Sequence, residues 1–220
     1  MASSLVPRGV IFDLDGTILE SEKLARHCFL AACADVGFPD IDVQVYNRCV
    51  GTTSARTAEI MRAGFGSEFP FDKMSTRWSE IYGEEISNNP VPVKEGIRDL
   101  LARFSDLHVP MAVATSSRRP TVETKLAMSG LSHYFEFYVC GGEADEGKPH
   151  PAPYLKALKQ LELMAVDCWA LEDSDNGVRS AVSAGLLVYQ IPDEIEPSDE
   201  VRNFGHEILL SAMDLVKRLQ

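Results

Sequence analysis

The stretch Val10-Ile11-Phe12-Asp13-Leu14-Asp15-Gly16-Thr17 sets the frame for the rest of the chain. Three apolar residues without polar alternation predict a short strand covered on both faces, as in a parallel sheet. The run stops at two carboxylates. Residues two apart in an extended chain project to the same side, so Asp13 and Asp15 address one site. Gly16 permits a sharp exit from the strand. Two neighbouring carboxylates either hold a divalent cation or divide into nucleophile and acid/base. An isolated D-x-D is more often a solvated acidic turn; its position directly after an apolar strand sets this one apart.

Four further apolar runs follow, at 110–114, 137–140, 168–171 and 186–191. They are separated by helical patterns near 94–105, 119–130, 151–162, 177–185 and 211–219. This alternation predicts an α/β fold, a doubly wound parallel sheet, which binds ligands outside the carboxyl ends of its strands. The interval from 20 to 89 breaks the rhythm: it holds only helical signals. Leu24, Ala25, Cys28, Phe29, Ala31 and Ala32 share a helical face that ends at Gly37, suited to a C′ position. Further helices fit 53–63 and 71–87, and Asn88-Asn89-Pro90-Val91-Pro92 reads as a stiff return linker. The expected organisation is an α/β core of 10–19 with 90–220 and a smaller helical cap, 20–89, over the strand ends. Residues 1–9 contain Leu-Val-Pro-Arg-Gly, which resembles a thrombin site left by an expression vector, and are set aside.

Composition narrows the partners. With 21 Lys+Arg against 33 Asp+Glu, the formal charge of −12 opposes binding to nucleic acid or to an anionic membrane surface. Hydrophobic content of 45% excludes a disordered chain. No apolar run spans a bilayer. Five cysteines without a C-x-x-C pair fit a reduced, cytoplasmic protein rather than a thiolate metal site. A monomer or weak dimer is expected.

Three more strand ends carry polar signals. Thr115-Ser116-Ser117, before Arg118-Arg119-Pro120 and a helix, is either an ordinary helix cap or an anion site suited to a phosphoryl group. Gly147-Lys148-Pro149-His150-Pro151 holds a lysine on a constrained backbone, able to balance acidic groups and an incoming phosphate. Taken alone it is as often a surface lysine in a turn. Glu172-Asp173-Ser174, after an apolar strand, is a cap or a ligand set; with Asp13 and Asp15 it makes an oxygen-rich group of the kind Mg²⁺ prefers.

These four signals, in order, resemble the haloacid dehalogenase-like hydrolase superfamily over essentially all of 10–220. Glu172-Asp173-Ser174-x-x-Gly177 with Ala184-Gly185, Gly147-Lys148-Pro149-x-Pro151 and the helical insert resemble its β-phosphoglucomutase-like phosphatase branch. The resemblance implies Asp13 as nucleophile and Asp15 as acid/base. It implies Mg²⁺ on Asp13, the Asp15 backbone carbonyl and Asp173, with Glu172 in support directly or through water. Thr115, the amide of Ser116 and Lys148 would then hold the phosphoryl group of a small phosphorylated metabolite. Gly51-Thr52-Thr53-Ser54-Ala55-Arg56 resembles a cap loop that addresses the leaving group, with Arg56 as specificity candidate, although an exposed Arg after a helix cap reads as well. Arg118 and Arg119 either rim the site or lie on the surface. Two departures bear on function. Ala152 stands where the family often has an acidic residue. Counting without gaps from Asp15, the cap histidine of the mutases falls on Ala25. The second departure favours hydrolysis over a phosphohexose mutase; a non-catalytic phospho-receiver is the third reading.

Overall fold

The computed structural model describes residues 6–49 and 54–220. Two compact units divide the chain, Met1–Glu20 with Pro90–Gln220 and Ser21–Asn89.

The first unit is built on six parallel strands among the described residues. They are β1 (Gly9–Phe12), β2 (Met111–Ala114), β3 (Phe137–Val139), β4 (Cys168–Glu172), β5 (Leu187–Gln190) and β6 (Glu207–Ile208), in the order β3-β2-β1-β4-β5-β6. The predicted doubly wound sheet is present, with one strand more than the apolar runs indicated. β6 is two residues long, too short for any periodic signal. β1 begins at Gly9, so the segment set aside contributes the first paired residue, opposite Cys168.

Both faces of the sheet are covered, and this is why its strands lack polar alternation. On one side Ile11, Ala114 and Ala170 pack with Tyr154, Ala157 and Leu158 of α7 (Ala152–Leu161) and with Val178 and Ala181 of α8 (Asp175–Ser183). On the other, Phe12 meets Phe104 of α5 (Ile97–Asp106) edge to face at 6.3 Å between ring centroids, and Phe104 meets Trp169 at 6.0 Å. The order β2-β1-β4 puts the reversal of strand order beside β1, where an open α/β sheet leaves a crevice. Asp13 and Glu172 emerge on its two sides.

The second unit comprises α1 (Ser21–Asp35), α2 (Val43–Asn47), α3 (Ser54–Phe65) and α4 (Phe71–Asn88). Its core contains Phe29, Tyr46, Met61 and Met74. Phe29 lies 4.8 Å from Tyr46 in a tilted contact and meets Trp78 edge to face at 5.6 Å; the Trp78 indole N–H donates to the Ala25 carbonyl at 3.0 Å. Gly37 lies beyond α1 at φ +93, and the Phe38 amide donates back to the Cys33 carbonyl at 2.9 Å, so the expected C′ glycine is in place. The sequence pattern missed α2, whose start is set by Asp42 accepting from the Gln44 amide.

Candidate active site

Register brings the strand ends together. Phe12 pairs with Val113 on β2 and with Leu171 on β4, so Asp13, Thr115 and Glu172 leave the sheet along one edge. The Asp13 amide donates to the Leu171 carbonyl at 2.9 Å and the Thr115 amide to the Val139 carbonyl at 3.0 Å, holding each residue where its strand stops.

Lys148 lies inside this group rather than on the surface. Its ammonium donates to Asp13 Oδ1 and to Glu172 Oε1, both at 2.5 Å, and sits 5.2 Å from the centre of the Tyr154 ring. Glu172 is fully buried and heavily bonded. Oε1 accepts from Lys148 and from the Tyr154 hydroxyl at 2.7 Å; Oε2 accepts from the Asp173 amide at 3.2 Å and the Ser174 hydroxyl at 3.3 Å. Ser174 in turn caps α8, its Oγ accepting from the Gly177 amide at 3.1 Å. Gly177 is required here: a Cβ would stand 1.9 Å from the Glu172 carboxylate.

Asp173 is held from two sides. Thr17 donates its hydroxyl to Asp173 Oδ1 at 3.1 Å, and Gln190 donates its side-chain amide to the Asp173 carbonyl at 2.9 Å. Gly16, at φ +83, lets the motif loop pass so close that a Cβ would lie 2.3 Å from Asp173 Oδ2. One oxygen each from Asp13, Glu172 and Asp173 falls within 4.8 Å of the others. An all-oxygen, carboxylate-rich set suits a hard divalent cation.

Burial pushes the Asp13 carboxyl up to about 8; Lys148 pulls against this, while Glu172 and Asp15 add to it. For Lys148, burial pulls the ammonium down, but Asp13 and Glu172 together hold it above its ordinary range. Tyr154 is raised far above the usual phenol by burial and by Glu172, so it stays a donor. One ammonium thus serves two buried carboxylates, and Asp13 is left under-compensated. That is the electrostatic condition under which a cation fits.

Asp15 is placed differently from the other three carboxylates. Its Oδ2 accepts from the Ser117 hydroxyl at 2.6 Å and its Oδ1 from the ammonium of Lys125. The Asp15 carboxylate is thus held by Ser117 and Lys125 and is not among the Asp13–Glu172–Asp173 oxygens. Thr115 is buried, its Oγ1 accepting from the Ser117 amide at 3.1 Å, and Ser116 is exposed. The helix that follows, α6 (Arg119–Met128), has no side-chain cap on Arg118, so ordinary capping does not account for these hydroxyls. Arg119 ties Glu143 in a two-point ion pair at 2.6 and 2.9 Å on the loop leading to Lys148. At Ala152, the backbone amide donates to His150 Nδ1 at 3.2 Å. Arg56 lies exposed on α3, paired with Glu59 at 2.8 Å. The loop residues Gly51, Thr52 and Thr53 lie outside the described residues.

Sequence reasoning missed Lys125 and Tyr154, and it read Ser117 only as part of a cap or anion site, not as a donor to Asp15. Lys125 carried a signal: it lies three residues after Val122 and one before Leu126, on the buried face of α6. Tyr154 reads as core, which it also is; only its hydroxyl bond to Glu172 gives it a place in the site.

A parallel sheet that gathers an aspartate nucleophile candidate, a lysine and an acidic pair at its strand ends defines a class of hydrolase. Residues 10–191 match the model for haloacid dehalogenase-like hydrolases, and the chain belongs to that family. Protein CbbY of Cereibacter sphaeroides is 31% identical over 186 residues, 80% of each chain. The phosphorylated carbohydrates phosphatase of Thermotoga maritima is 26% identical over 216 residues, covering 96% of this chain and 97% of its own. Among solved structures, a mutant of CbbY from Rhodobacter sphaeroides in complex with xylulose-(1,5)bisphosphate superposes with a TM-score of 0.79 at 28% identity, covering 94% and 95% of the two chains. The chain is thus an enzyme of a hydrolase family with phosphatases among its relatives. No helix among the described residues is long and apolar enough to cross a membrane.

Proposed function

We propose that this chain is a Mg²⁺-dependent phosphatase that hydrolyses a small phosphomonoester, a sugar phosphate or similar metabolite, through an aspartyl-phosphate on Asp13. One observation carries the reading: Asp13, at the end of β1, is bonded to Lys148 and shares an oxygen cluster with Asp173 and Glu172. A strand-end carboxylate, a buried ammonium and an oxygen-rich set meet at one point, which supports a nucleophile, a phosphate-binding cation and a metal site there.

Asp13, the Asp15 backbone carbonyl and Asp173 would hold the cation, with Glu172 fixing Lys148 beside them. Bound there, Mg²⁺ would neutralise charge on the phosphoryl oxygens and on Asp13, which otherwise repel each other. Asp13 attacks phosphorus as the bond to the leaving oxygen breaks. Asp15 gives that oxygen a proton, then takes one from the water that hydrolyses the aspartyl-phosphate. Thr115, the Ser116 amide and Lys148 hold the transferring oxygens. Substrate selection is assigned to the 21–89 unit, with Arg56 as its candidate. The names of the CbbY and carbohydrate-phosphate relatives support a sugar phosphate. Ala25, with no titratable group, supports hydrolysis over phosphoryl isomerisation. Five buried cysteines, none in a disulfide, support a reducing cytoplasm.

The test is phosphate release across a panel of phosphomonoesters, with Mg²⁺ and with chelator. Release that requires the metal and disappears in Asp13→Asn is the expected result. Turnover surviving in Asp13→Asn, or no turnover anywhere on the panel, overturns the reading.

A further inference from the structure

Lys125 is a charged residue in an apolar position. It is 1% exposed and lies on the inner face of α6 beside Val122 and Leu126. A desolvated ammonium is costly unless a counter-charge meets it, and the counter-charge here is Asp15 Oδ1. The Asp15 side chain keeps 22% of its surface open, so the pair has a dry end and a wet end.

Lys125 and Ser117 bind Asp15 in different ways. A lysine ammonium only donates, so it pins Oδ1 as an acceptor. A serine hydroxyl rotates and accepts as readily as it donates, so Ser117 tolerates Oδ2 with or without a proton. This asymmetry matters because Asp15 lies two residues from Asp13, beside a group that gathers carboxylate oxygens around a cation site. A carboxylate drawn into that group would no longer be available to carry a proton.

We propose that Lys125 is a positioning residue: by anchoring Asp15 Oδ1 from within α6, it keeps the Asp15 carboxylate out of the Asp13–Glu172–Asp173 oxygen group and presents Oδ2 for proton transfer. The inference rests on the assignment of Asp15 as acid/base and extends it to a residue outside the strand-end motifs. The step it serves is balanced: the bond from Asp13 oxygen to phosphorus forms, the bond to the leaving oxygen breaks, and that oxygen takes the Oδ2 proton.

The experiment compares kcat/KM on an alkyl phosphate, a sugar phosphate being suitable, with kcat/KM on 2,4-dinitrophenyl phosphate, whose leaving group needs no proton. Three proteins are assayed: wild type, Asp15→Asn and Lys125→Met. Loss of general-acid help costs about 100-fold or more on the alkyl ester and little on the aryl ester. Lys125→Met is expected to reproduce that selective loss, which a merely structural role would not, since it would lower both substrates together. A selective Asp15→Asn beside a Lys125→Met that is unselective or unimpaired overturns the inference alone. An unselective Asp15→Asn overturns the acid/base assignment and the inference with it. Should Lys125→Met fail to fold, Lys125→Gln takes its place, read by the same ratio.

Discussion

Replacing Gly177 by alanine puts the coupling between helix α8 and Lys148 to a quantitative test. The added Cβ would meet the Glu172 carboxylate at 1.9 to 2.0 Å, where ordinary contact begins near 3.4 Å, so helix and carboxylate must part by about 1.5 Å. Glu172 cannot retreat by that amount and keep Lys148 at 2.5 Å and the Tyr154 hydroxyl at 2.7 Å, because both bonds would open beyond hydrogen-bonding reach. Each buried bond to a charged group is worth about 1.5–3 kcal/mol, so losing both makes Gly177→Ala cost roughly 3–6 kcal/mol. Misplaced Lys148 would also lower kcat by about 100-fold. Urea unfolding followed by Trp169 fluorescence gives the first number, and phosphate release the second. Gly83, inside α4 with nothing near its Cβ position, is the control. Gly83→Ala is expected to stabilise by about 0.5–1 kcal/mol without touching activity. A Gly177→Ala protein within about 1 kcal/mol of wild type and fully active would refute the reasoning.

Tyr154→Phe keeps the ring but removes the donor to Glu172 Oε1; it is expected to lose about 1–3 kcal/mol in chemical denaturation, with turnover reduced but not abolished. Without a divalent cation, Asp13 binds its proton up to about pH 8 in the folded chain against 3.8 as the ordinary value. The folded state then holds the extra proton, so this contribution is present below the ordinary value and is lost as pH rises to about 8. The stability of wild type minus that of Asp13→Asn should therefore fall with pH across that window in chelator and flatten with Mg²⁺; a pH-independent difference in chelator contradicts it. His206 behaves oppositely: burial holds its imidazole below 6.5, Nε2 is bonded to Gln190 Oε1 and Nδ1 is buried without a hydrogen-bond partner. Its stabilising contribution is present above 6.5 and is lost as pH falls, so His206→Gln should be less acid-sensitive than wild type in unfolding titrations. Glu143→Gln, which weakens a partly exposed pair with Arg119 on the loop leading to Lys148, should cost under about 1 kcal/mol while lowering kcat more than a surface change would.

Local pattern carried much of this protein. The runs at 10–12, 110–114, 137–140, 168–171 and 186–191 were legible as strands because both faces of the sheet are covered, so no polar alternation interrupts them. Asp13, Glu172 and Asp173 stood out because polar residues at the end of an apolar strand have no packing role, and Lys148 because Gly147 and Pro149 constrain its backbone and the acidic groups give its charge a purpose. What stayed hidden was partnership. Lys125 reads as any helical lysine until α6 is laid against the sheet and its ammonium reaches Asp15, 110 positions away. Tyr154 reads as core until its hydroxyl meets Glu172, and Gly177 stands in its motif without a physical reason until that same carboxylate fills the space of its Cβ. Asp13 and Asp15 share one loop and one chemistry in sequence, yet the fold gives one to Lys148 and the other to Lys125. Sequence by itself determined which residues end the strands, because hydrophobic burial acts on local pattern. Only the tertiary structure decided which charge answers which, because that depends on distances between residues far apart in the chain.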